Sequence, residues 1–236
     1  ILSAAGGIGH DALCKLAEKA FGDLQKPKLS HQSRAAAFSG GEFRRDKKLE
    51  QAHFALAFES PSYRSLDIYT AQVYSIALGG GMSSRLFQQI REKRGLCYSI
   101  FAQAGAFSDT GLTTIYAGTS AEQIPDLANL TVNELKRAAM DLSEPEVTRA
   151  RSQMKAGLLM GLESPSSRAE RLARMIQIWG KVPSLDETIE KIDSVNLEKV
   201  RAYAEHVASQ AKFAMALYGP ISSAPSLQEL DALRAA

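Results

Sequence analysis

The sequence predicts an α+β fold, with a mainly antiparallel sheet and helices packed on one of its faces. Apolar residues alternate or run continuously in the short segments that are typical of strands, and they recur every three or four positions in the longer, helical segments. The predicted strands and helices follow one another in blocks rather than in regular alternation, which favours α+β over α/β. The 236 residues, 45% of them hydrophobic, suffice for a large core.

The first predicted elements are a strand and a helix. ILSAAGG, residues 1–7, is a short apolar run that ends in glycines, as buried strands often do. Apolar residues then recur at helical spacing over residues 10–21, and Gly22 stands where a helix would end. Periodicity disappears over residues 25–41, which we interpret as a linker.

The next segment, residues 42–60, is predicted to be extended. Large apolar residues alternate with alanine between Phe54 and Phe58, which fits a strand buried on both faces. A helix follows over residues 65–78, with Leu66 on its apolar side and Gly79 at its end, and a shorter amphipathic helix covers residues 84–93.

A hairpin and a helical block complete the predicted order. Two runs rich in β-forming residues flank a turn that contains Asp109 and Gly111. Ser143–Glu146 and Ser184–Glu187 have the Ser-x-x-Glu pattern of a capping box. Helices are predicted over residues 121–140, 143–158, 164–180 and 196–208, with another beginning at Ser184, before a closing strand at 212–219 and a surface extension at 221–236.

Composition and charge exclude several kinds of partner. The formal net charge is only +2 and no dense basic stripe is present, so we expect no nucleic acid partner. No stretch approaches the roughly 20 apolar residues of a membrane span, so we expect no membrane insertion. Cys14 and Cys97 are far apart and form no C-x-x-C pair, which favours a reducing compartment.

The glycine-rich stretch GGGMSSR, residues 79–85, invites a comparison with phosphate-binding loops. A P-loop needs a lysine after its last glycine, and the dinucleotide-binding pattern needs a third glycine at the position of Ser84. Neither is present, and a predicted helix rather than a strand comes before the loop. The remaining interpretation is a flexible connection in which Gly79 ends the helix.

The histidines indicate no metal site or catalytic triad. No two of them are four residues apart, so no helix presents a two-histidine face, and H-x-x-E-H is absent. His53 lies inside an apolar strand, where a hydrogen-bonded core or interface residue is the simpler interpretation. We therefore expect this chain to bind no metal.

One long stretch identifies a family. LGGGMSSRLFQQIREKRGLCYSI, residues 78–100, closely resembles the second half of the pitrilysin-type zinc peptidases, in the mitochondrial-processing-peptidase branch and its bacterial relatives. EQAHFALAFESPSY and FSDTGLTTIYAGT resemble the first strand and the hairpin of that half, and LLMGLESPSSRAERLARMIQIWGK resembles its helical pair. AAGGIGHDALCKLAEKAFGDL resembles the last strand and helix of the preceding half, so the resemblance spans nearly residues 1–220.

The resemblance implies a division into domains. Proteins of this family have two homologous α+β halves that face each other like a clamp, and the N-terminal half holds the catalytic zinc on an H-x-x-E-H helix. Residues 1–24 would then be the end of the zinc-bearing half, 25–41 a linker, 42–220 the second, substrate-clamping domain and 221–236 a C-terminal extension. Zinc would belong to the full-length protein and not to this chain.

The resemblance also implies the site residues. In the family, an Arg and a Tyr in the pattern R-x6-Y contact the substrate backbone near the zinc, and here the match is Arg91 and Tyr98. Gly95 between them permits the chain to reverse, so the two polar ends can converge. Without the resemblance, Arg91 could simply favour a helix C-terminus and Tyr98 could be sheet packing. Arg94 is expected to be a surface residue.

The family loop that touches substrate corresponds to the glycine-rich stretch, so Gly79, Gly80, Gly81 and Ser83 are candidate substrate-binding residues. The implied function is the C-terminal half of a zinc metalloendopeptidase that cleaves peptides or presequences, inactive without its N-terminal half. The alternative is a zinc-less partner or structural subunit. Expected partners are the N-terminal half, an extended peptide and a second subunit in a homo- or heterodimer. The expected compartment is the bacterial cytoplasm or the mitochondrial matrix.

Overall fold

The computed structural model describes residues 1–25 and 34–236, which form one five-stranded sheet and a set of helices. The strands are β1 (Gly41–Asp46), β2 (Ala52–Ser60), β3 (Ser99–Ala106), β4 (Gly111–Thr119) and β5 (Phe213–Gly219). The helices are α1 (His10–Phe21), α2 (Ile68–Gly79), α3 (Ile124–Asp141), α4 (Glu144–Gly161), α5 (Pro165–Trp179), α6 (Leu185–Asp193), α7 (Leu197–Ser209) and α8 (Leu227–Ala235), and a π-helix covers Phe87–Glu92.

The sheet has the strand order β1-β5-β2-β4-β3. Strand β2 lies at its centre and is antiparallel to both β4 and β5, and β3 joins β4 as the predicted hairpin. Among the described strand pairs, only β1 and β5 are parallel. The predicted α+β fold with a mainly antiparallel sheet is therefore confirmed.

Among the described residues, helices bury only one face of the sheet. In β2 the side chains of Phe54, Leu56 and Phe58 are fully buried against the helical layer, whereas Ala55 and Ala57 are half-buried on the opposite face. The prediction of a strand buried on both faces is therefore wrong within the residues that the structure describes. The alternation of phenylalanine or leucine with alanine in β2 instead indicates two unlike faces. The large side chains lie on the helix-covered face and the alanines on the open face.

A row of aromatic side chains crosses that open face from strand to strand. This aromatic row consists of Tyr218, His53, Tyr116 and Phe101, with successive ring centroids 6.2, 6.1 and 5.2 Å apart. His53 Nδ1 lies 2.8 Å from the Tyr116 hydroxyl, so the expected hydrogen-bonded histidine is present. Phe101 and Tyr218 remain 43% and 40% exposed, so a large aromatic surface faces away from the helices.

Helix α2 is the central element of the helical layer. It is buried on nearly all sides because it lies between the sheet and the outer helices α4 and α7. Tyr74 on α2 is fully buried, and its ring meets the Tyr203 ring edge-on at 5.4 Å. Leu66, predicted to belong to the apolar side of this helix, precedes its first residue and is 97% exposed.

The ends of the chain differ from their predictions. Residues 1–9 form no strand in the described structure, where no neighbouring strand is available to pair with them. Of the predicted linker 25–41, residues 26–33 lie outside the described part, and 34–40 have no regular structure. Residues 221–236 are not a surface extension, because they include α8, whose Leu230 is completely buried against the domain.

The two predicted capping boxes are both present, at the start of α4 and of α6. The first has a further role. The Glu146 carboxylate accepts hydrogen bonds from the Ser143 backbone N–H and hydroxyl at 2.9 and 2.6 Å, and also from Arg85 Nε and Nη2 at 2.6 and 2.9 Å. Arg85 also pairs with Asp141 at the end of α3. The glycine-rich loop is thereby fastened to two helices.

The ionisation of Glu146 reflects this arrangement. Burial alone would raise the pKa of its carboxyl group, but the hydrogen bonds from Arg85 and Ser143 outweigh burial and hold the pKa at about 2. The Arg85 side chain is only 10% exposed, so solvent screens this pair weakly.

We expect Glu146→Gln to lower the free energy of unfolding by about 2 kcal/mol at neutral pH. Since the pKa falls from 4.5 in the unfolded chain to about 2 in the folded one, the carboxylate stabilises the fold above pH 4.5, and this contribution is lost as the pH falls toward 2. Urea denaturation over that pH range should therefore give a shallower loss of stability for Glu146→Gln than for the unsubstituted chain.

The matched control is Glu144→Gln on the same helix turn. Glu144 pairs with Arg151 at 3.1 Å but is 55% exposed, so its loss should change stability by no more than about 0.5 kcal/mol. Identical pH profiles for the Glu146→Gln and unsubstituted chains would contradict the assignment.

Candidate functional site

The candidate site lies where the π-helix gives way to the edge strand β3. Arg91 is on the last turn of the π-helix, and Tyr98 immediately precedes β3. Between them Gly95 has a φ of +64°, a left-handed conformation that favours glycine, and its N–H bonds to the Arg91 carbonyl at 2.9 Å. The predicted reversal at Gly95 is therefore present.

The reversal brings the two predicted residues together. The Arg91 guanidinium carbon lies 5.8 Å from the centroid of the Tyr98 ring. The Tyr98 side chain is 79% exposed, and the Arg91 side chain is 34% exposed. Both polar ends are thus accessible from solvent on the same side of the Gly95 turn.

A third side chain, that of Phe87 in the predicted short amphipathic helix, holds Arg91 in place. The guanidinium of Arg91 lies over the ring of Phe87 at 4.5 Å from its centroid, the distance of a cation–π interaction. The two residues are four positions apart, and the wide turn of a π-helix, seen in the Lys93 N–H bond to Gln88, brings them nearly above one another. Their spacing was the signal that could have revealed Phe87.

The turn itself is tied to the sheet. The Thr119 hydroxyl on β4 donates a buried hydrogen bond of 2.5 Å to the Leu96 carbonyl, and the Tyr98 N–H bonds to the Gly118 carbonyl at 3.3 Å. The Leu96 N–H in turn bonds to the Ile90 carbonyl at 3.1 Å. Backbone bonds on both sides of Gly95 therefore fix the position of Tyr98 relative to Arg91.

The hydrogen-bonding capacity of Arg91 is largely unused. Glu92 Oε1 lies 3.9 Å from its Nη1, which is too long for a hydrogen bond. Within residues 1–25 and 34–236, no other acceptor occupies the guanidinium. The arrangement therefore offers several N–H donors and one phenolic O–H to an acceptor placed above the turn, such as the carbonyl oxygen of an extended peptide.

Cys97, next to Tyr98, does not add a nucleophile. Burial raises the pKa of its thiol to about 11, although the charge of Arg91 acts in the opposite direction. At neutral pH it is a protonated, buried side chain that packs in the core. Cys14 on α1 is exposed.

The glycine-rich loop is held firmly rather than flexibly. Gly79 is buried, and a Cβ atom there would overlap the backbone nitrogen of Ala102 on β3. The Gly80 carbonyl accepts a hydrogen bond from Gln153 at 2.6 Å, and the Gly81 carbonyl accepts one from the Ser84 hydroxyl at 2.6 Å. Of the four candidate substrate-binding residues in the loop, Gly80 and Gly81 are half-buried, Ser83 is exposed, and Gly79 is inaccessible.

The residues that the structure describes do not fit a zinc ion. Nowhere among them do three His, Cys, Asp or Glu side chains come close enough to share a metal. None of their helices is long and apolar enough to cross a bilayer.

Comparison with known proteins agrees with this architecture. Residues 1–154 match the family model described as the peptidase M16 inactive domain. The uncharacterized zinc protease YmxG of Bacillus subtilis is 34% identical over 227 residues, which cover 96% of this chain and 55% of that protein. An uncharacterized zinc protease of Rickettsia bellii is 36% identical over 220 residues, covering 93% of this chain and 53% of that protein. The chain thus spans about half the length of these curated relatives.

A solved structure shares the fold. One chain of the structure described as complex III2 from Candida albicans, Inz-5 bound, matches with a TM-score of 0.85. The match covers 97% of this chain and 57% of that chain, at 23% sequence identity. At this identity the likeness concerns the fold alone, and it agrees with the predicted α+β architecture.

The packing of the loop leads to a prediction that separates Gly79 from Gly81. We expect Gly79→Ala to lower the free energy of unfolding by about 1–3 kcal/mol, because the added methyl meets strand backbone that cannot move aside. Gly81→Ala should change it by less than about 0.5 kcal/mol, because the nearest atom, 3.2 Å away, is the end of the flexible Gln153 side chain. Thermal or urea denaturation of both variants checks this, and equal stabilities would contradict it.

Proposed function

The chain belongs to the peptidase M16 family, and we propose that it is the C-terminal half of a zinc metalloendopeptidase that cleaves peptides or presequences, in the mitochondrial-processing-peptidase-like branch. The relatives named as zinc proteases support this proposal, as does the match to the inactive domain of the family. In this half, substrate is gripped rather than cleaved. The single observation that carries the proposal is the convergence of Arg91 and Tyr98 beside β3.

The geometry suggests that Arg91 and Tyr98 have different roles. Arg91, stacked on Phe87, presents a planar set of donors that can hold a substrate carbonyl in one orientation. Tyr98, largely exposed, can donate its phenolic hydrogen to an oxygen that gains negative charge during peptide cleavage. Because Phe87 holds the Arg91 guanidinium before substrate arrives, Arg91 would need little reorganisation to contact the substrate.

The catalytic metal would not be held by this chain. The described residues do not fit zinc, so we assign it to the part of the full-length protein that precedes this chain, where it would supply the water-activating and carbonyl-polarising chemistry of such sites. Arg91 and Tyr98 would act on the substrate from the opposite side of the cleft, once the two halves close.

We propose domain limits that correspond to this division into a zinc-bearing half and a second half. Residues 1–24 would complete the preceding half, which is supported by α1 having no buried residue and by apolar side chains such as Leu16 and Phe21 that are more than half exposed. Residues 25–41 would link the halves. Residues 42–220 would form the clamping domain, to which α8 now adds residues 221–236.

A zinc-less partner subunit is the alternative function. Two findings support this alternative: the matched family model is described as an inactive domain, and a chain of complex III2 shares the fold. Zinc content separates the two proposals, since a full-length protein that binds no zinc after metal loading would be a partner subunit. In either case we propose association with a second subunit, as a homo- or heterodimer. The bacterial relatives favour the bacterial cytoplasm over the mitochondrial matrix as the compartment.

We expect Arg91→Ala and Tyr98→Phe in the full-length protein each to lower kcat/KM for a basic peptide substrate by on the order of 100-fold, the effect of losing one oxyanion donor. Steady-state peptide hydrolysis measures this. Arg94→Ala is the matched control, because Arg94 is exposed and its guanidinium bonds only to Gln89, so hydrolysis should be unaffected. Unchanged kcat/KM in both test variants, with zinc bound, would refute the assignment.

We expect deletion of residues 1–24 to leave the unfolding of the rest nearly unchanged. No side chain of α1 is buried, so its removal should shift the free energy of unfolding by less than about 0.5 kcal/mol. Denaturation followed through Trp179, the sole tryptophan, reports on the clamping domain alone. A large loss of stability would show that residues 1–24 belong to this domain.

A further inference from the structure

A groove runs between helix α5 and the far end of the edge strand β3, and we refer to it as the α5 groove. Its volume is about 560 Å³, within the range of ligand-binding clefts. Residues 103–106 of β3 form one wall and α5 forms the other, while α4 and α6 contribute side chains between them. None of these residues belongs to the candidate site described above.

The groove exists because α5 stands away from the domain. Ile178, near its C-terminal end, is its only buried residue, and the Ile178 carbonyl accepts hydrogen bonds from Arg64 Nη2 and Nε at 3.0 and 3.2 Å. Arg174 bonds to the Tyr63 hydroxyl at 2.5 Å. The helix is thus anchored near one end, and its inner face lines an open channel instead of packing against the core.

Apolar side chains line much of the channel. Met154 and Leu158 of α4 and Met175 of α5 are half-buried there, and Tyr69 and Trp179 lie at its sides. Methionine side chains adapt to ligands of varied shape because they are unbranched and flexible. Such a surface can bind apolar side chains without selecting a single sequence.

The charge of the lining is positive. Three cations, Arg171, Arg174 and Lys191, and one acid, Glu170, border the groove, so its lining has a net charge of +2. Within the described parts of the chain, none of the three cations forms an ion pair with a carboxylate; Lys191 Nζ instead lies 5.6 Å from the Trp179 ring centroid. Other arginines of the helical layer, such as Arg85 and Arg137, do pair with carboxylates. The groove therefore complements an anionic ligand.

The wall formed by β3 indicates which class of ligand the α5 groove can bind. β3 is the last strand of the sheet and pairs only with β4 among the described strands. Its outer edge presents unpaired backbone N–H and C=O groups, which an extended peptide can satisfy by adding a strand. A lipid or a small anion would leave these backbone groups unpaired.

We propose that the α5 groove binds an extended peptide segment in which acidic and apolar residues alternate. Side chains of a strand point alternately to opposite sides, so one set would enter the apolar floor while the other meets Arg171 and Lys191. Backbone hydrogen bonds to residues 103–106 would hold the segment in register. This inference does not depend on the proposed peptidase function, and it is tested without zinc or catalysis.

The test uses the 236-residue chain and a short end-blocked peptide of alternating glutamate and leucine. Binding is followed by the emission of Trp179, the sole tryptophan, and by hydrogen exchange at the amides of residues 103–106. We expect saturable binding, protection of those amides, and at least roughly 10-fold weaker binding of the corresponding lysine and leucine peptide. Affinity should fall as salt rises.

Substitutions in the α5 groove test whether the peptide binds there. Arg171→Glu and Lys191→Glu should each weaken binding of the acidic peptide by roughly 10-fold and strengthen binding of the basic one. Arg168→Glu is the matched control on the same helix, because Arg168 is exposed, bonds to the Leu162 carbonyl and does not line the groove. Equal binding of both peptides, or loss of binding in Arg168→Glu to the same extent, overturns the proposal.

The same experiments would also detect two other occupants of the α5 groove. Trp179 emission that changes with protein concentration in the absence of peptide would indicate that a second copy of the chain fills the groove. A fatty acid that binds more tightly than the acidic peptide and leaves residues 103–106 unprotected would indicate an amphiphile. Either result overturns the proposal of a peptide.

Discussion

The close approach of Gly79 to the backbone of Ala102 determines where the other parts of the candidate site can lie. It allows the end of α2 to pack directly against β3, with no side chain between helix and strand. The glycine-rich loop that follows starts from this contact, and Gln153 and the Arg85–Glu146 pair hold it against α4. Since the loop leads straight into the π-helix, the position of Arg91 depends on a contact made twelve residues earlier in the chain.

The site combines rigidity with access. The polar ends of Arg91 and Tyr98 face solvent, yet Phe87 lies under the Arg91 guanidinium, and hydrogen bonds to β4 hold the backbone at Leu96 and Tyr98. A binding residue on a flexible loop would lose conformational freedom when it contacts a ligand. For Arg91, contact with Phe87 already restricts the side chain on folding, so under the proposed function less free energy of binding would go into ordering it.

Local signals were sufficient for much of the architecture. The capping boxes at Ser143 and Ser184, the hairpin and the reversal at Gly95 each depend on residues close together in sequence, and all are present. The errors concern long-range contacts. Leu66 has an apolar side chain at a helical position but lies outside the packed region, and the tail gains its helix because Leu230 finds a place in a core formed by distant residues. The stacking of Phe87 on Arg91 and the α5 groove required three-dimensional coordinates, because only the π-helix and the position of α5 create them.

The difference between the two cysteines has a practical consequence. Cys97 is buried and its thiol stays protonated at neutral pH, whereas Cys14 is exposed on α1. A thiol-reactive fluorophore will therefore modify the chain at one position without any engineering. With Trp179 on α5 as the partner chromophore, the sequence already contains a donor–acceptor pair for measuring distances between α1 and α5 in solution.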